Sequence, residues 1–261
     1  MKPLRLGAVS YLNVEPIIHG LGADRRFEVL RDVPSRIATR LHAGEIDLGM
    51  IPSIEYAAGD YAIVPGVAIG SRGPVRSVVL LHERPLAELR RVALDTSSRT
   101  SVALLKILLR ERLGRDPEYV SMGPDPAAML AAADAALVIG DPALYFDGAA
   151  RRWDLGQAWF EATGLPFVFA FWAGRKDALG PGDVARLQDA LRTGLQRIAE
   201  IASSYNGHGA GHAPDNEAYL RHSIVYRFGD EEQAGLREFF RRAHEIGLIP
   251  RQPEIRFHGD R

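Results

Sequence analysis

The sequence predicts an α/β protein with two lobes and a ligand cleft between them. Short apolar runs alternate with helical patterns in two series, which begin near residues 4 and 92. Strands that alternate with helices favour parallel sheets, so each series predicts one sheet. Longer apolar stretches join the series, and helical patterns dominate after residue 182. We place residues 1–80 and 175–261 in lobe 1 and residues 81–174 in lobe 2.

The first series contains three predicted strands, at residues 4–9, 27–30 and 46–50. A helix over 14–21, with Asn13 as its N-cap, follows the first strand. A second helix spans 34 to about 43, because Pro34 suits a first helical turn and Gly44 a helix end. Pro52 opens a short helix. Longer strands at 62–69 and 75–81 then leave this lobe.

The second series begins with a predicted strand at residues 92–94. Val102, Leu105, Leu108 and Leu109 recur at helical spacing, which predicts a helix over 100–113. A strand at 119–122, an alanine-rich helix around 127–133 and strands at 135–139 and 167–172 follow. The remaining helical patterns run to about residue 247, with a break at 206–212.

Composition excludes several classes of protein. The chain of 261 residues is 46% hydrophobic, carries a net charge of −1 and has no cysteine. This charge gives no general attraction to nucleic acid or to an anionic membrane. The lack of cysteine excludes disulfides, thiolate metal sites and a cysteine nucleophile. Neither a signal peptide nor an apolar run of about 18 residues is recognisable, so we expect a cytoplasmic protein.

Polar residues just after strands are the candidate site, because ligands of α/β sheets bind beyond the carboxyl ends of the strands. Ser10 and Asn13 follow the first strand, where they could cap a helix or offer neutral donors to an anion. Residues 96–101 contain five hydroxyls, more than one helix cap needs. We expect the hydroxyls of this cluster to bind a carboxylate or a phosphate: Thr96, Ser97, Thr100 and Ser101.

Three further features have two interpretations each. Asp141 follows the strand at 135–139 and could be an acid/base group or a helix cap. Ser77 brings a hydroxyl into an apolar strand and could bind a ligand or serve only the structure. His208 and His212 lie in a glycine-rich segment without a clear third metal ligand, so we expect a surface loop and no metal site.

The order of these features resembles one family, the chorismate dehydratases of the futalosine route to menaquinone. Its opening motif is similar to Ser10-Tyr11-Leu12-Asn13. The other segments that carry the resemblance are 44–52, 73–80, 94–101, 137–141, 153–156 and 164–168. Together they extend over residues 4 to about 250. Seven motifs in the same order carry the resemblance.

The resemblance implies a periplasmic-binding-protein-like fold used as a lyase. Such an enzyme removes water from chorismate to give 3-[(1-carboxyvinyl)oxy]benzoate, with no metal and no organic cofactor. The implied partner is this small substrate, with no nucleic acid and no membrane. Asn13, Ser77 and Asp141 are the candidate catalytic residues, and Ser10 joins Asn13 and the hydroxyl cluster in binding. The base is Asp141 or the side-chain carboxylate of the substrate itself.

Two other functions fit the same patterns. A solute-binding protein or ligand sensor would share the fold and the polar strand ends. A sister family, the 1,4-dihydroxy-6-naphthoate synthases of the same pathway, also shares the fold. That family has a Cys-Pro-Asn-Asp type opening where this chain has residues 10–13, which disfavours it.

Overall fold

Two five-stranded sheets organise the computed structural model, which describes residues 2–180 and 182–259. The strands of this part of the chain are β1 (Leu4–Val9), β2 (Phe27–Asp32), β3 (Leu48–Pro52), β4 (Tyr61–Ser71), β5 (Val78–His82), β6 (Arg91–Asp95), β7 (Glu118–Met122), β8 (Ala135–Ile139), β9 (Arg151–Asp154) and β10 (Phe167–Arg175). Its α-helices are α1 (Pro34–His42), α2 (Thr100–Leu113), α3 (Pro126–Ala132), α4 (Gly140–Leu144), α5 (Leu155–Thr163), α6 (Asp183–Gln196), α7 (Ile198–Ser204), α8 (Ala213–His222) and α9 (Asp230–Glu245).

The first sheet has the strand order β2-β1-β3-β10-β4. Strand β1 is parallel to β2 and β3, as the first series predicted, whereas β10 runs antiparallel to β3 and β4. The second sheet has the order β7-β6-β8-β5-β9, with β6 parallel to β7 and β8 and with β5 antiparallel to β8 and β9. Both sheets therefore combine a parallel half with an antiparallel half.

Alternation along the strands builds the core on both faces of the second sheet. In β8, Leu137 and Ile139 belong to the large core that extends into the first lobe. Ala136 and Val138 pack into a smaller cluster on the opposite face. Successive side chains of a strand point to opposite faces, so an apolar run without polar interruptions predicts a strand covered on both sides.

The predicted helix over 14–21 is wrong. The chain instead forms short 3₁₀ turns at Leu12–Val14 and Leu21–Ala23. Pro16 has no N–H to donate to a helical ladder, and Gly20 adopts a left-handed φ of 78° that ends the turn. Asn13 consequently lies inside a 3₁₀ turn and is not an N-cap.

Three elements were not predicted: α4, β9 and α5. Strand β9 is short, lies at the edge of the second sheet and contains two arginines, so it carries no apolar signal. The lobe boundaries at residues 80 and 174 stay a prediction, and each falls inside a strand, residue 80 in β5 and residue 174 in β10. By hydrogen bonding, β5 belongs to the second sheet and β10 to the first.

Candidate functional site

A cavity lies between the two lobes, where several strands reach their carboxyl ends. The space free of protein atoms in this cavity, including its opening to solvent, is about 540 Å³. Its apolar wall comes from both lobes: Val9, Val14, Pro34, Pro52, Ile69, Val75, Val78, Ile139, Phe169 and Ala170. Of the predicted site residues, Asn13, Ser77, Thr100 and Ser101 line this cavity.

The polar part of the wall is neutral. It consists of hydroxyl and amide side chains, which are Tyr11, Asn13, Ser77, Ser98, Thr100 and Ser101. Among the described residues that line the cavity, none carries a formal charge. An anion in this cavity would therefore be bound by hydrogen-bond donors and by the positive end of a helix dipole rather than by an ion pair.

Asn13 and Ser77 lie on one side of the cavity and share a partner behind its wall. The side-chain amide of Asn13 donates to the phenol oxygen of Tyr219 over 3.2 Å. The Tyr219 hydroxyl in turn donates to Ser77 Oγ over 2.7 Å. Tyr219 belongs to α8 and is buried. Tyr226 holds the same loop from a second direction, because its hydroxyl donates to the backbone oxygen of Asn13 over 3.1 Å.

The loop that presents Ser77 is fixed by Asp154. The carboxylate of Asp154 accepts the backbone N–H of Val75 over 3.1 Å and that of Arg76 over 2.6 Å. It also accepts the N–H of Gln157 and so caps α5. Arg76 has a left-handed φ of 65°, which is costly for a side chain other than glycine. The hydrogen bonds that Asp154 accepts from Val75 and Arg76 offset this cost. They hold the backbone next to Ser77, a candidate catalytic residue.

The N-terminus of α2 supplies the hydroxyls on the other side of the cavity. Ser98 and Ser101 line it, and the backbone N–H of Ser101 donates to Ser98 Oγ over 3.2 Å. Thr100 also lines the cavity, but its hydroxyl accepts the N–H of Ile54 from the first lobe over 3.1 Å. Thr100 therefore ties the lobes together as well as facing the cavity.

Tyr11 contributes the largest polar side chain of the wall. Its ring lies so close to Gly140 that a Cβ there would come within 2.6 Å of it, and Gly140 also has a φ of 64°. Burial raises the pKa of Tyr11 to about 12, a shift that the hydrogen bond with Ser97 partly counteracts. The phenol therefore stays protonated at neutral pH and can act only as a hydrogen-bonding group there.

Asp141 lies directly beside the cavity but is not among the residues that line it. One of its oxygens accepts the backbone N–H of Leu12 over 3.2 Å, and the other accepts the hydroxyl of Tyr205. Burial raises the pKa of Asp141, and the bonds from Tyr205 and Leu12 act in the opposite direction. Asp141 is the second residue of α4 and Ile139 is the N-cap, so the prediction that Asp141 caps a helix is wrong, and its acid/base role stays a prediction.

The remaining predicted binding residues lie farther from the cavity. Ser97 is buried behind the wall and donates to Asp95 Oδ1 over 2.6 Å. Ser10 and Thr96 are exposed, and neither side chain lines the cavity. Their predicted contacts with substrate stay untested.

Sequence reasoning missed three residues of this site as separate candidates: Tyr11, Ser98 and Tyr219. Tyr11 and Ser98 stand inside the motifs at 10–13 and 94–101, so their positions after strands could have selected them. Tyr219 has no such signal, because it lies on a helix far along the chain from the strand ends.

The described residues hold no group of three or more His, Cys, Asp or Glu side chains that could bind a metal ion. Residues 206–212 form turns after α7. His212 lies 4.0 Å from Asp215, with both side chains largely exposed. In the part of the chain that the structure describes, no helix is long and apolar enough to cross a membrane.

Solved structures place the chain in a class defined by its fold. The aliphatic sulphonate binding protein of Escherichia coli, a periplasmic protein, superposes with a TM-score of 0.63 at 20% identity, covering 100% of this chain and 95% of that one. The alkanesulfonate-binding protein of Xanthomonas axonopodis, bound to MOPS, gives 0.68 at 20% identity, covering 97% and 96%. The protein thus has a two-lobed α/β fold of the periplasmic-binding-protein type, as predicted.

Sequence comparison is more specific than the fold. A family model described as menaquinone biosynthesis matches residues 4–245. A chorismate dehydratase of Thermus thermophilus is 34% identical, covering 95% of this chain and 97% of the relative. A chorismate dehydratase of Campylobacter jejuni is 27% identical, covering 91% and 92%. The chain belongs to this menaquinone biosynthesis family.

Proposed function

We propose that this protein is a chorismate dehydratase, a lyase that eliminates water from chorismate to give 3-[(1-carboxyvinyl)oxy]benzoate. The observation that carries the proposal is the cavity between the lobes, whose polar wall consists entirely of neutral hydrogen-bonding groups. Both curated relatives named above are chorismate dehydratases, and each matches this chain over nearly its full length.

The wall offers donors for both carboxylates of chorismate. Ser98 and Ser101 surround the N-terminus of α2, where hydroxyls and a helix dipole together favour an anion. Asn13 and Ser77 face the cavity from the other side and offer an amide and a hydroxyl. The apolar residues between them provide a surface for the ring of the substrate. We infer that the two carboxylates bind at these two sides.

The proton acceptor in this proposal is the side-chain carboxylate of the substrate. This carboxylate takes a proton from one ring carbon and gives it to the hydroxyl that leaves the adjacent carbon, so the two depart as one water. No charged side chain among the described residues lines the cavity, so the wall has no ordinary base to offer. Aromatisation of the ring drives the reaction, and orientation with exclusion of bulk water suffices to promote it.

Asp141 has an anchoring role in this proposal rather than a catalytic one. Both of its oxygens already accept hydrogen bonds, from Leu12 and Tyr205. These bonds join α4 to the loop after β1 and to the end of α7. Loss of Asp141 would release the loop that carries Asn13, so a variant would lose activity without the carboxylate taking the proton.

We further propose that the enzyme works in the cytoplasm on the futalosine route to menaquinone, without a metal or an organic cofactor. The family model, described as menaquinone biosynthesis, supports the pathway in its general form. A solute-binding protein would bind chorismate and leave it unchanged. A 1,4-dihydroxy-6-naphthoate synthase would not dehydrate chorismate at all.

One experiment tests the proposal directly. Purified protein is incubated with chorismate in the presence and absence of a chelator, and the products are followed by mass spectrometry. We expect loss of one water at the same rate in both samples. Unchanged chorismate would contradict the proposed activity, and a rate that falls with chelator and returns with zinc or magnesium would contradict metal-independent chemistry.

A further inference from the structure

Tyr219 is the one described residue that hydrogen-bonds to the side chains of both Asn13 and Ser77. These two side chains come from different parts of the chain, the turn after β1 and the crossover from β4 to β5. Tyr219 comes from a third part, α8, and only 1% of its surface is exposed. It does not line the cavity, so any influence on a ligand passes through Asn13 and Ser77.

The two hydrogen bonds have a fixed direction. A phenol has one proton, and that of Tyr219 is donated to Ser77 Oγ over 2.7 Å. Its oxygen can therefore only accept from Asn13, which orients the amide with its N–H toward Tyr219. The proton of Ser77 is not needed for this bond and is free to point into the cavity. The second N–H of Asn13 is likewise left for a ligand.

Burial keeps this arrangement in one protonation state. It raises the pKa of Tyr219 well above the ordinary value of a tyrosine, so the phenol is neutral at neutral pH. The backbone at Asn13 is held separately, because Tyr226 donates to its carbonyl oxygen over 3.1 Å. Removing the hydroxyl of Tyr219 would thus free two side chains without freeing the loop.

We propose that Tyr219 is a positioning residue, which sets the amide of Asn13 and the hydroxyl of Ser77 as paired donors toward one carboxylate of the substrate. This inference rests on the proposed dehydratase activity. If that carboxylate also takes the proton, its position relative to the ring decides the rate. Without the Tyr219 hydroxyl, the side chains of Asn13 and Ser77 could rotate; they would bind the carboxylate almost as well but would not hold it in one position. Loss of this hydroxyl should therefore lower kcat more than it weakens substrate binding.

The test compares two variants that each lose one buried hydroxyl. Tyr219→Phe removes the proposed positioning group. Tyr56→Phe is the matched control, because Tyr56 is also buried and its hydroxyl bonds, within the described part of the chain, only to backbone groups away from the cavity. It lies within donor distance of the oxygens of Tyr61 and Glu254, at 3.0 and 3.1 Å, and accepts the N–H of Arg256 over 3.0 Å. We expect kcat of Tyr219→Phe to fall by about tenfold to a hundredfold, with KM within about threefold of the wild type. Tyr56→Phe should keep the wild-type kcat, and both variants should show similar losses in thermal midpoint.

A second comparison uses a Ser77→Ala background. If Tyr219 acts partly through Ser77, replacing it with Phe there should lower kcat by a smaller factor than in the wild type. Equal factors in both backgrounds would overturn the inference. So would an active wild type whose Tyr219→Phe variant has the same kcat as Tyr56→Phe, which would leave the proposed function intact. A wild type that leaves chorismate unchanged would overturn both.

Discussion

At the scale of single residues, the absence of charge from the described wall of the cavity has a chemical consequence. An arginine within about 4–6 Å of a carboxylate lowers its pKa by roughly 1–3 units. Such a residue would bind chorismate tightly but would make its carboxylate a poorer base. Hydroxyl and amide donors such as Ser77 and Asn13 bind a carboxylate with a smaller loss of basicity, which suits a substrate that takes its own proton.

Asn13→Asp is the most informative single substitution. It keeps the size of the side chain but brings a negative charge toward a substrate with two carboxylates. It also turns a donor to Tyr219 into an acceptor, which would draw the phenol proton away from Ser77. We expect a thermal midpoint close to that of the wild type and a kcat reduced by about a hundredfold or more. Near-normal turnover in steady-state kinetics would remove Asn13 from the site.

The dependence of the rate on pH tests which group takes the proton. An ordinary carboxylate such as that of the substrate has a pKa of about 3.5, and the pKa of Tyr11 is raised to about 12. Neither group titrates near neutral pH, so we expect kcat to stay flat between about pH 6 and pH 9. If Asp141 were the base, its raised pKa would make kcat increase with pH through that value. An increase of this kind that disappears in Asp141→Asn would contradict the proposed base.

At the scale of elements, the sequence predicted what local patterns determine. Helix α2 and strand β8 have the predicted ends, because apolar spacing and length leave one interpretation for each. Around residues 14–21 the apolar pattern looks helical, but Pro16 and Gly20 prevent a helix. Positions just after strands also pointed to Asn13 and the hydroxyls of α2, whereas Ser77 was selected as a hydroxyl inside a predicted strand and lies just before β5. Tyr219 could not be predicted, because its contact with them depends on where the C-terminal helices pack.

The junction of β9 and α5 supports Ser77 through Asp154, and a matched pair of variants can measure this. Asp154→Ala and Asp125→Ala each remove a helix N-cap, of α5 and α3 respectively. Each should lower the free energy of unfolding by about 1 kcal/mol, and Asp154→Ala somewhat more. Only Asp154 also accepts from Val75 and Arg76 beside Ser77.

We therefore expect kcat to fall at least tenfold in Asp154→Ala and to stay unchanged in Asp125→Ala, because only the former releases the loop of Ser77. Denaturant melts and steady-state kinetics on the two purified variants give both quantities. Equal kcat values in the two variants would show that the cap of α5 serves stability alone.

At the scale of the whole molecule, the two lobes meet where the polar groups of the site are. Thr100 at the start of α2 accepts the N–H of Ile54 from the first lobe. Asp141 in α4 accepts from Leu12 in the turn after β1. The backbone N–H of Ser35 donates to the oxygen of Ser97 over 3.1 Å. Each contact joins the lobes beside the cavity, so a ligand that bridges the two sides should stabilise the folded protein as a unit.

The thermal midpoint of the protein with different ligands can show whether the cavity binds two carboxylates of a ligand or only one. The reaction product keeps both carboxylates and is not turned over, whereas benzoate has only one. At a concentration of 100 times its dissociation constant, a ligand of the native state adds about 2.7 kcal/mol. For a chain of this size that corresponds to an increase in midpoint of about 5 °C or more.

We expect such an increase with the product, and a much smaller one with benzoate at the same concentration, because benzoate reaches the donors of one side only. In a Ser98→Ala, Ser101→Ala double variant, the increase caused by the product should fall toward that of benzoate. Equal increases with both ligands would show that a single anion site accounts for binding.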